Sequence, residues 1–118
     1  MSNWDKEVDI LVVGSGAGGL LSALVGAENR AEVLVVEKAD QWGGTSATSG
    51  GGIWIPGSDV AKQAGFEDNL DDAFTYLRAL SADNVPDENI RAYVENAAPM
   101  LRWVMANTPV QYLAFPYP

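Results

Sequence analysis

Residues 8–20 read VDILVVGSGAGGL. The nearly unbroken apolar run from Val8 to Val13 has the pattern of a strand buried on both faces, and it stops at Gly14. Gly14-Ser15-Gly16-Ala17-Gly18-Gly19 then matches G-x-G-x-x-G where a helix opens. Ala17 to Asn29 is rich in Ala and Leu, with Leu20, Leu21, Leu24 and Val25 as an apolar stripe at helical spacing. Val33 to Val36 is a second apolar run, closed by Glu37. Two such strands around one helix, within about 30 residues, predict a right-handed βαβ unit with parallel strands.

The glycines have separate duties. Gly14 permits the tight turn, Gly16 lets a pyrophosphate approach the backbone, and Gly19 lets helix and strand pack closely. The free N–H groups at the helix start then face the phosphates. A hexapeptide of this kind also occurs in plain connecting turns, so its context decides. Glu37 ends the second strand 23 residues after Gly14, where a carboxylate accepts hydrogen bonds from the two hydroxyls of an adenosine ribose. An acid there disfavours a 2′-phosphate, and therefore NADP.

A second glycine region follows almost at once: Gly43-Gly44-Thr45-Ser46-Ala47-Thr48-Ser49-Gly50-Gly51-Gly52. A dinucleotide ending in nicotinamide has no need of ten small residues in that place. A flavin does, because its ring and ribityl chain lie against bare backbone with N–H and hydroxyl donors near the polar edge. A flexible linker is the plainer reading, but Ile53, Trp54, Ile55 and Pro56 resume an apolar run. FAD is the expected cofactor.

Composition narrows the chemistry. The 118 residues carry 7 Lys+Arg against 16 Asp+Glu, a net charge of −9, which opposes a nucleic-acid footprint. With no Cys and no His, the chain excludes a disulfide framework, a thiolate nucleophile, a Ser-His-Asp triad, and covalent flavin attachment through its own side chains. No run approaches the roughly 20 apolar residues of a transmembrane segment, and the start does not read as a targeting signal. A cytoplasmic location is expected.

Ten of the twelve glycines lie between Gly14 and Gly52, and the second half changes character. Asp68 or Asn69 caps a helix carrying Leu70, Ala73, Phe74 and Leu77, with Asp71 and Asp72 in its first turn. Pro86 opens another helix, with Asp87 and Glu88 at its start, and Pro99 is expected to break or kink it. These acids read as helix-start charges, with no metal site. Val110 to Leu113 is a candidate short strand, and Trp42, Trp54, Trp103, Phe66 and Phe74 are candidate core. The expected division is a Rossmann-like FAD-binding βαβ unit with its flavin loop over 1–58, and a helical extension over 59–118.

The stretches DILVVGSGAGGL, VLVVEKAD and WGGTSATSGGGIWIPG together resemble the N-terminus of the fumarate reductase/succinate dehydrogenase flavoprotein superfamily. Trp4, the IWIPG run, AGFEDNLDDAFTYLRAL and Ala92-Tyr93-Val94-Glu95 are most similar to its 3-ketosteroid Δ1-dehydrogenase branch. The resemblance implies an α/β fold that is the N-terminal part of a larger two-domain flavoprotein. The implied enzyme is an FAD-dependent dehydrogenase acting on CH–CH groups in steroid metabolism and lipid degradation. It would desaturate the 1,2 bond of a 3-oxosteroid, passing hydride to flavin N5. The alternatives are a Δ4-(5α)-3-ketosteroid dehydrogenase, a fumarate-type reductase, or a non-catalytic FAD-binding subunit.

Position by position, the resemblance places Gly14, Ser15, Gly16, Ala17, Gly18 and Gly19 on the pyrophosphate, Glu37 on the ribose and Lys38 near the adenine. Gly44, Thr45, Ser46 and Ala47 would line the pyrophosphate–ribityl path, and Ser49, Gly50 and Gly51 the flavin. Gly52 falls on the substrate side, where glycine leaves room and removes a donor. Tyr117 matches an aromatic wall of the substrate pocket, and the catalytic tyrosine would follow Pro118. The implied partners are a steroid-like small molecule, the remainder of the enzyme and an external electron acceptor.

Overall fold

The computed structural model describes residues 3–115, which divide into two compact units, Met1–Gly52 and Ile53–Pro118. The first is the expected βαβ unit. Strand β1 (Ile10–Val13) runs into helix α1 (Ala17–Glu28) and returns as β2 (Val33–Val36). The strands pair in parallel, Ile10 against Val33 through Val13 against Val36. Asp9 lengthens the ladder, its carboxylate accepting the Glu32 amide at 2.8 Å while its own amide donates to the Glu32 carbonyl.

Helix α1 covers one face of this pair. Val12 is buried, whereas Leu11 is 57% and Val13 80% exposed. Side chains alternate across a strand, so a single helical layer protects alternate positions and leaves the others bare. The continuous apolar run therefore demands a second layer that these residues do not supply. The return to β2 is tight. Arg30 N–H donates to the Ala27 carbonyl and Ala31 N–H to that of Gly26, which is Schellman geometry, with Arg30 left-handed at φ 64°.

Short helix α2 (Gly44–Thr48) stands inside the second glycine region, which reads from sequence as a loop. Its five small residues have no apolar periodicity to announce it.

The second unit is helical: α3 (Asp59–Gln63), α4 (Leu70–Ser81), a 3₁₀ turn (Ala82–Asn84) and α5 (Asp87–Asn107). Ser58 caps α3 by accepting from Ala61 N–H, and Asn69 caps α4 by accepting from Asp72 N–H at 2.7 Å. Asp68 has another duty, its carboxylate accepting the Gly57 amide at 2.6 Å. Ile90, Val94, Ala97 and Leu101 are buried along one stripe of α5, and α4 meets that stripe through Ala73, Phe74 and Leu77.

Three expectations need correction. Pro99 does not break α5, which runs unbroken through it. It removes the bond owed to the Glu95 carbonyl, but the buried stripe continues on both sides and holds the two halves together. Val110 to Leu113 is not a strand. Thr108 Oγ1 accepts the Val110 amide and Gln111 donates to the Met105 carbonyl, so the chain turns back toward the end of α5 with no strand beside it. Of the candidate core aromatics, Phe74 packs against the buried cluster of α4 and α5, but the tryptophans and Phe66 do not form core. Trp42 is 77% exposed, Trp54 and Phe66 are exposed, and Trp103 and Phe74 are half-buried. Two small units enclose narrow aliphatic cores, too thin to surround an indole.

Arg30 gives a direct stability test. A residue with a Cβ is strained in the left-handed region by about 1 kcal/mol, and glycine is not. Arg30→Gly is expected to raise the unfolding free energy of the full-length protein by about 0.5–1 kcal/mol in urea denaturation.

Candidate cofactor-binding site

The first unit gathers its conspicuous residues at the carboxyl ends of β1 and β2. Gly14 N–H donates to the Val36 carbonyl at 2.7 Å, which sets the glycine turn beside Glu37. Gly19 explains why the turn is so close. A Cβ on Gly19 would lie 2.2 Å from the Gly14 carbonyl oxygen, so only glycine lets the first turn of α1 approach β1.

Glu37 is held by donors from Ser15 and Ala39. The Ser15 amide and hydroxyl both donate to its Oε2, at 2.9 and 2.6 Å, and the Ala39 amide donates to Oε1 at 3.0 Å. These bonds bring the carboxyl pKa from the ordinary 4.5 down to about 2, the Ser15 hydroxyl being the largest cause. Ser15, only 2% exposed, also accepts the Gly43 amide at 2.9 Å. Its side chain is thus shared between the first glycine loop, the end of β2 and the second glycine loop, a role its place as an "x" in the motif does not announce.

The second loop rests on the first. The Ala17 amide donates to Ser46 Oγ at 3.1 Å, and a Cβ on Gly44 would come within 3.5 Å of Gly16 Cα. Gly43 has φ 109°, and a Cβ there would meet that of Ala47 at 2.6 Å. Thr45 and Ala47 lie in α2 beside Ser46, and Thr45 accepts on its carbonyl from the Thr48 hydroxyl. Ser49 donates to the Ser46 carbonyl and accepts the Gly51 amide. Lys38, Gly50, Gly51 and Gly52 are exposed, and Tyr117 lies outside the described residues.

These residues fit an FAD. Helix α1 starts at Gly16 with no side-chain cap and no acid in its first turn, whereas α3, α4 and α5 each begin with acids. The Ala17 amide is taken by Ser46 Oγ, and the positive end of the α1 dipole is left without an acid to offset it, which suits an anion. A Cβ on Gly16 would make only an ordinary contact with Ser46, and one on Gly18, Gly50 or Gly52 would meet nothing within 4 Å. Packing inside this chain does not account for their bareness, and a cofactor laid against the backbone would. Glu37 adds an acceptor that stays ionised throughout the neutral range.

The family model described as FAD binding domain matches residues 9–117. The chain belongs to that family. Its cofactor is FAD. The 3-oxosteroid 1-dehydrogenase of Mycolicibacterium smegmatis is 42% identical over 106 residues, covering 90% of this chain and 19% of the relative. The 3-ketosteroid Δ1-dehydrogenase of Sterolibacterium denitrificans, solved with 1,4-androstadiene-3,17-dione, superposes with a TM-score of 0.79 at 42% identity, over 88% of this chain and 18% of that one. The 3-ketosteroid-Δ4-(5α)-dehydrogenase of Rhodococcus jostii RHA1, solved with 4-androstene-3,17-dione, has a TM-score of 0.79 at 31% identity, over 89% and 22%. The chain thus spans about a fifth of the length of these relatives. The resemblance to 3-ketosteroid dehydrogenases and the α/β expectation both hold. Among the described residues, no helix is long and apolar enough to cross a membrane.

Two outcomes follow. Gly19→Ala collides with backbone and is expected to abolish folding of the unit, whereas Gly18→Ala meets open space and leaves the thermal stability of the apoprotein within about 1 kcal/mol of wild type, the ordinary helix-propensity range. The second concerns pH. Because folding lowers the Glu37 pKa, its contribution is complete above the unfolded value of 4.5 and is lost as pH falls toward about 2. The stability gap between wild type and Glu37→Gln, measured by urea unfolding, should stay constant from about pH 8 to about pH 5 and narrow only below that.

Proposed function

We propose that this chain is the cofactor-holding part of an FAD-dependent dehydrogenase that introduces a 1,2 double bond into a 3-oxosteroid. The observation that carries the reading is the 42% identity to a 3-oxosteroid 1-dehydrogenase, sustained over 106 residues, against 31% to the Δ4-(5α) enzyme. The reaction takes a proton from C2, acidified by the adjacent ketone, and a hydride from C1, and FAD when bound supplies the two-electron acceptor.

The chain's own part is binding, orientation and exclusion of water. Residues Gly14 to Gly19 hold the pyrophosphate with backbone amides, Lys38 flanks the adenine, and Gly44, Thr45, Ser46 and Ala47 follow the pyrophosphate–ribityl path. Ser49, Gly50 and Gly51 would underlie the flavin, with Gly52 on the substrate side. Glu37 accepts from the ribose. A carboxylate offers about four lone-pair positions, and Ser15 and Ala39 fill three of them, with the Lys38 amide also bonding to the group. No catalytic base is assigned among these residues, and none of their bonds depends on a metal.

A second reading, Δ4-(5α) dehydrogenation, draws on the equal TM-score of the Rhodococcus jostii enzyme. Product analysis separates the two. The full-length protein, given androst-4-ene-3,17-dione and an artificial electron acceptor, is expected to yield the 1,2-unsaturated steroid. Turnover of a 5α-saturated steroid with no such product would assign the Δ4-(5α) reaction instead. Glu37→Ala is expected to weaken FAD binding by at least about ten-fold in Kd by flavin titration, as for loss of a hydrogen bond to a charged group.

A further inference from the structure

The motif asks nothing of the side chain at position 15, yet that side chain is among the most buried in the molecule. Ser15 is 2% exposed and uses its hydroxyl fully, donating to Glu37 Oε2 at 2.6 Å and accepting from Gly43 N–H at 2.9 Å. A buried hydroxyl costs stability unless it is satisfied, and an alanine would occupy the same slot without that demand. The hydroxyl therefore has a purpose beyond filling space.

Its geometry shows what that purpose is. Glu37 has three side-chain torsions and would otherwise sample several rotamers in solvent. Two donors from one residue converge on a single oxygen, Oε2, and the Ala39 amide takes one lone pair of Oε1. The carboxylate is thereby fixed in place, with Oε2 turned to Ser15 and Oε1 to the Ala39 amide. At the same time the bond from Gly43 fastens the start of the second glycine loop to the same hydroxyl. Gly43 cannot be repositioned by any other residue, because it is left-handed and a Cβ would strike that of Ala47.

We infer that Ser15 is a positioning residue for the adenosine end of FAD, its hydroxyl aiming Glu37 at the ribose and locking the second glycine loop to that carboxylate. The inference rests on the FAD-binding reading of this site and is independent of which steroid, if any, is oxidised.

The test uses the full-length protein stripped of flavin and titrated with FAD. Ser15→Ala is expected to raise Kd about ten-fold, as for loss of one hydrogen bond to a charged group. In a Glu37→Ala background the same change is expected to cost less than about three-fold, because residues that act through one another are not additive. Ser15→Thr, which keeps the hydroxyl, is expected to bind within about three-fold of wild type, as neutral–neutral contacts are weak by comparison. Equal losses in the two backgrounds overturn the inference, since a residue that merely props the loop costs the same whatever stands at position 37. Wild-type affinity in Ser15→Ala overturns it as well. Should Ser15→Ala fail to fold, Ser15→Thr decides: near-wild-type affinity supports the inference, and a folded Thr variant as weak as Glu37→Ala overturns it. A wild-type apoprotein that takes up no FAD would instead remove the cofactor reading beneath it.

Discussion

The separation between Gly19 and the Gly14 carbonyl oxygen is the constraint on which the rest of the site depends. A single methyl group at position 19 would lie 2.2 Å from that oxygen. Seven residues further along α1, Gly26 repeats the arrangement: a Cβ there would reach 2.8 Å from Ile10 Cδ1 and 3.1 Å from Val33 Cγ2. The helix is laid against both strands by the lack of a side chain at each of these two points. That close contact fixes where α1 begins. Its first amides then open at the end of β1, and the parallel register places the end of β2 alongside. Ser15 and Glu37 meet because Val13 and Val36 are paired as the last residues of their strands, which brings the turns that follow them side by side.

How much of this was readable from the sequence varies with the kind of signal involved. The βαβ unit was legible because continuous apolar runs and a glycine motif leave few alternatives for strands of this length. The place of Glu37 beside the glycine turn was legible from the motif together with the spacing to the end of the second strand. Ser15 was not, because a motif position marked "x" is defined by backbone and its side-chain bonds depend on tertiary contacts. Gly26 was hidden for a related reason: in an Ala- and Leu-rich helix it reads as a weak spacer, and only the packing shows that a Cβ there would press on the side chains of Ile10 and Val33. The proposed strand at Val110 to Leu113 failed because β-branched and apolar residues form a strand only beside another strand. The expected break at Pro99 failed because local propensity was outweighed by a buried stripe that spans it.

The misassigned aromatics follow from size. Trp54 lies edge-on to Tyr76, with centroids 5.5 Å apart, and stacks on Tyr93 at 6.4 Å, while the Tyr93 hydroxyl donates to the Trp54 carbonyl. These rings hold the segment after Ile53 against α4 and α5 at the surface of their own unit. Burial raises the Tyr93 phenol pKa above its ordinary value, which keeps that donor protonated across the physiological range. An aromatic residue in a unit this small is used as a clamp before it can be used as core. Hydrophobicity alone does not distinguish the two roles.

Charge raises a last question, because a protein of net charge −9 has to hold a cofactor whose pyrophosphate is itself anionic. This chain's own summed field has the wrong sign for long-range attraction. The chain's contribution to holding the pyrophosphate comes from short-range donors, and the distribution of acids is consistent with that. Asp59, Asp71, Asp72, Asp87 and Glu88 occupy the first turns of α3, α4 and α5, where each complements a helix dipole, while α2, inside the second glycine region, has none. The start of α1 has none. The Glu37 carboxylate is bonded to that loop, and donors from Ser15 and Ala39 already offset its charge. An acid so placed can accept from a ribose without repelling the phosphates as a bare carboxylate would. The Ser15 hydroxyl therefore bears on both parts of the dinucleotide at once, as the donor that lowers the Glu37 pKa most and as the anchor for the loop that closes over α1.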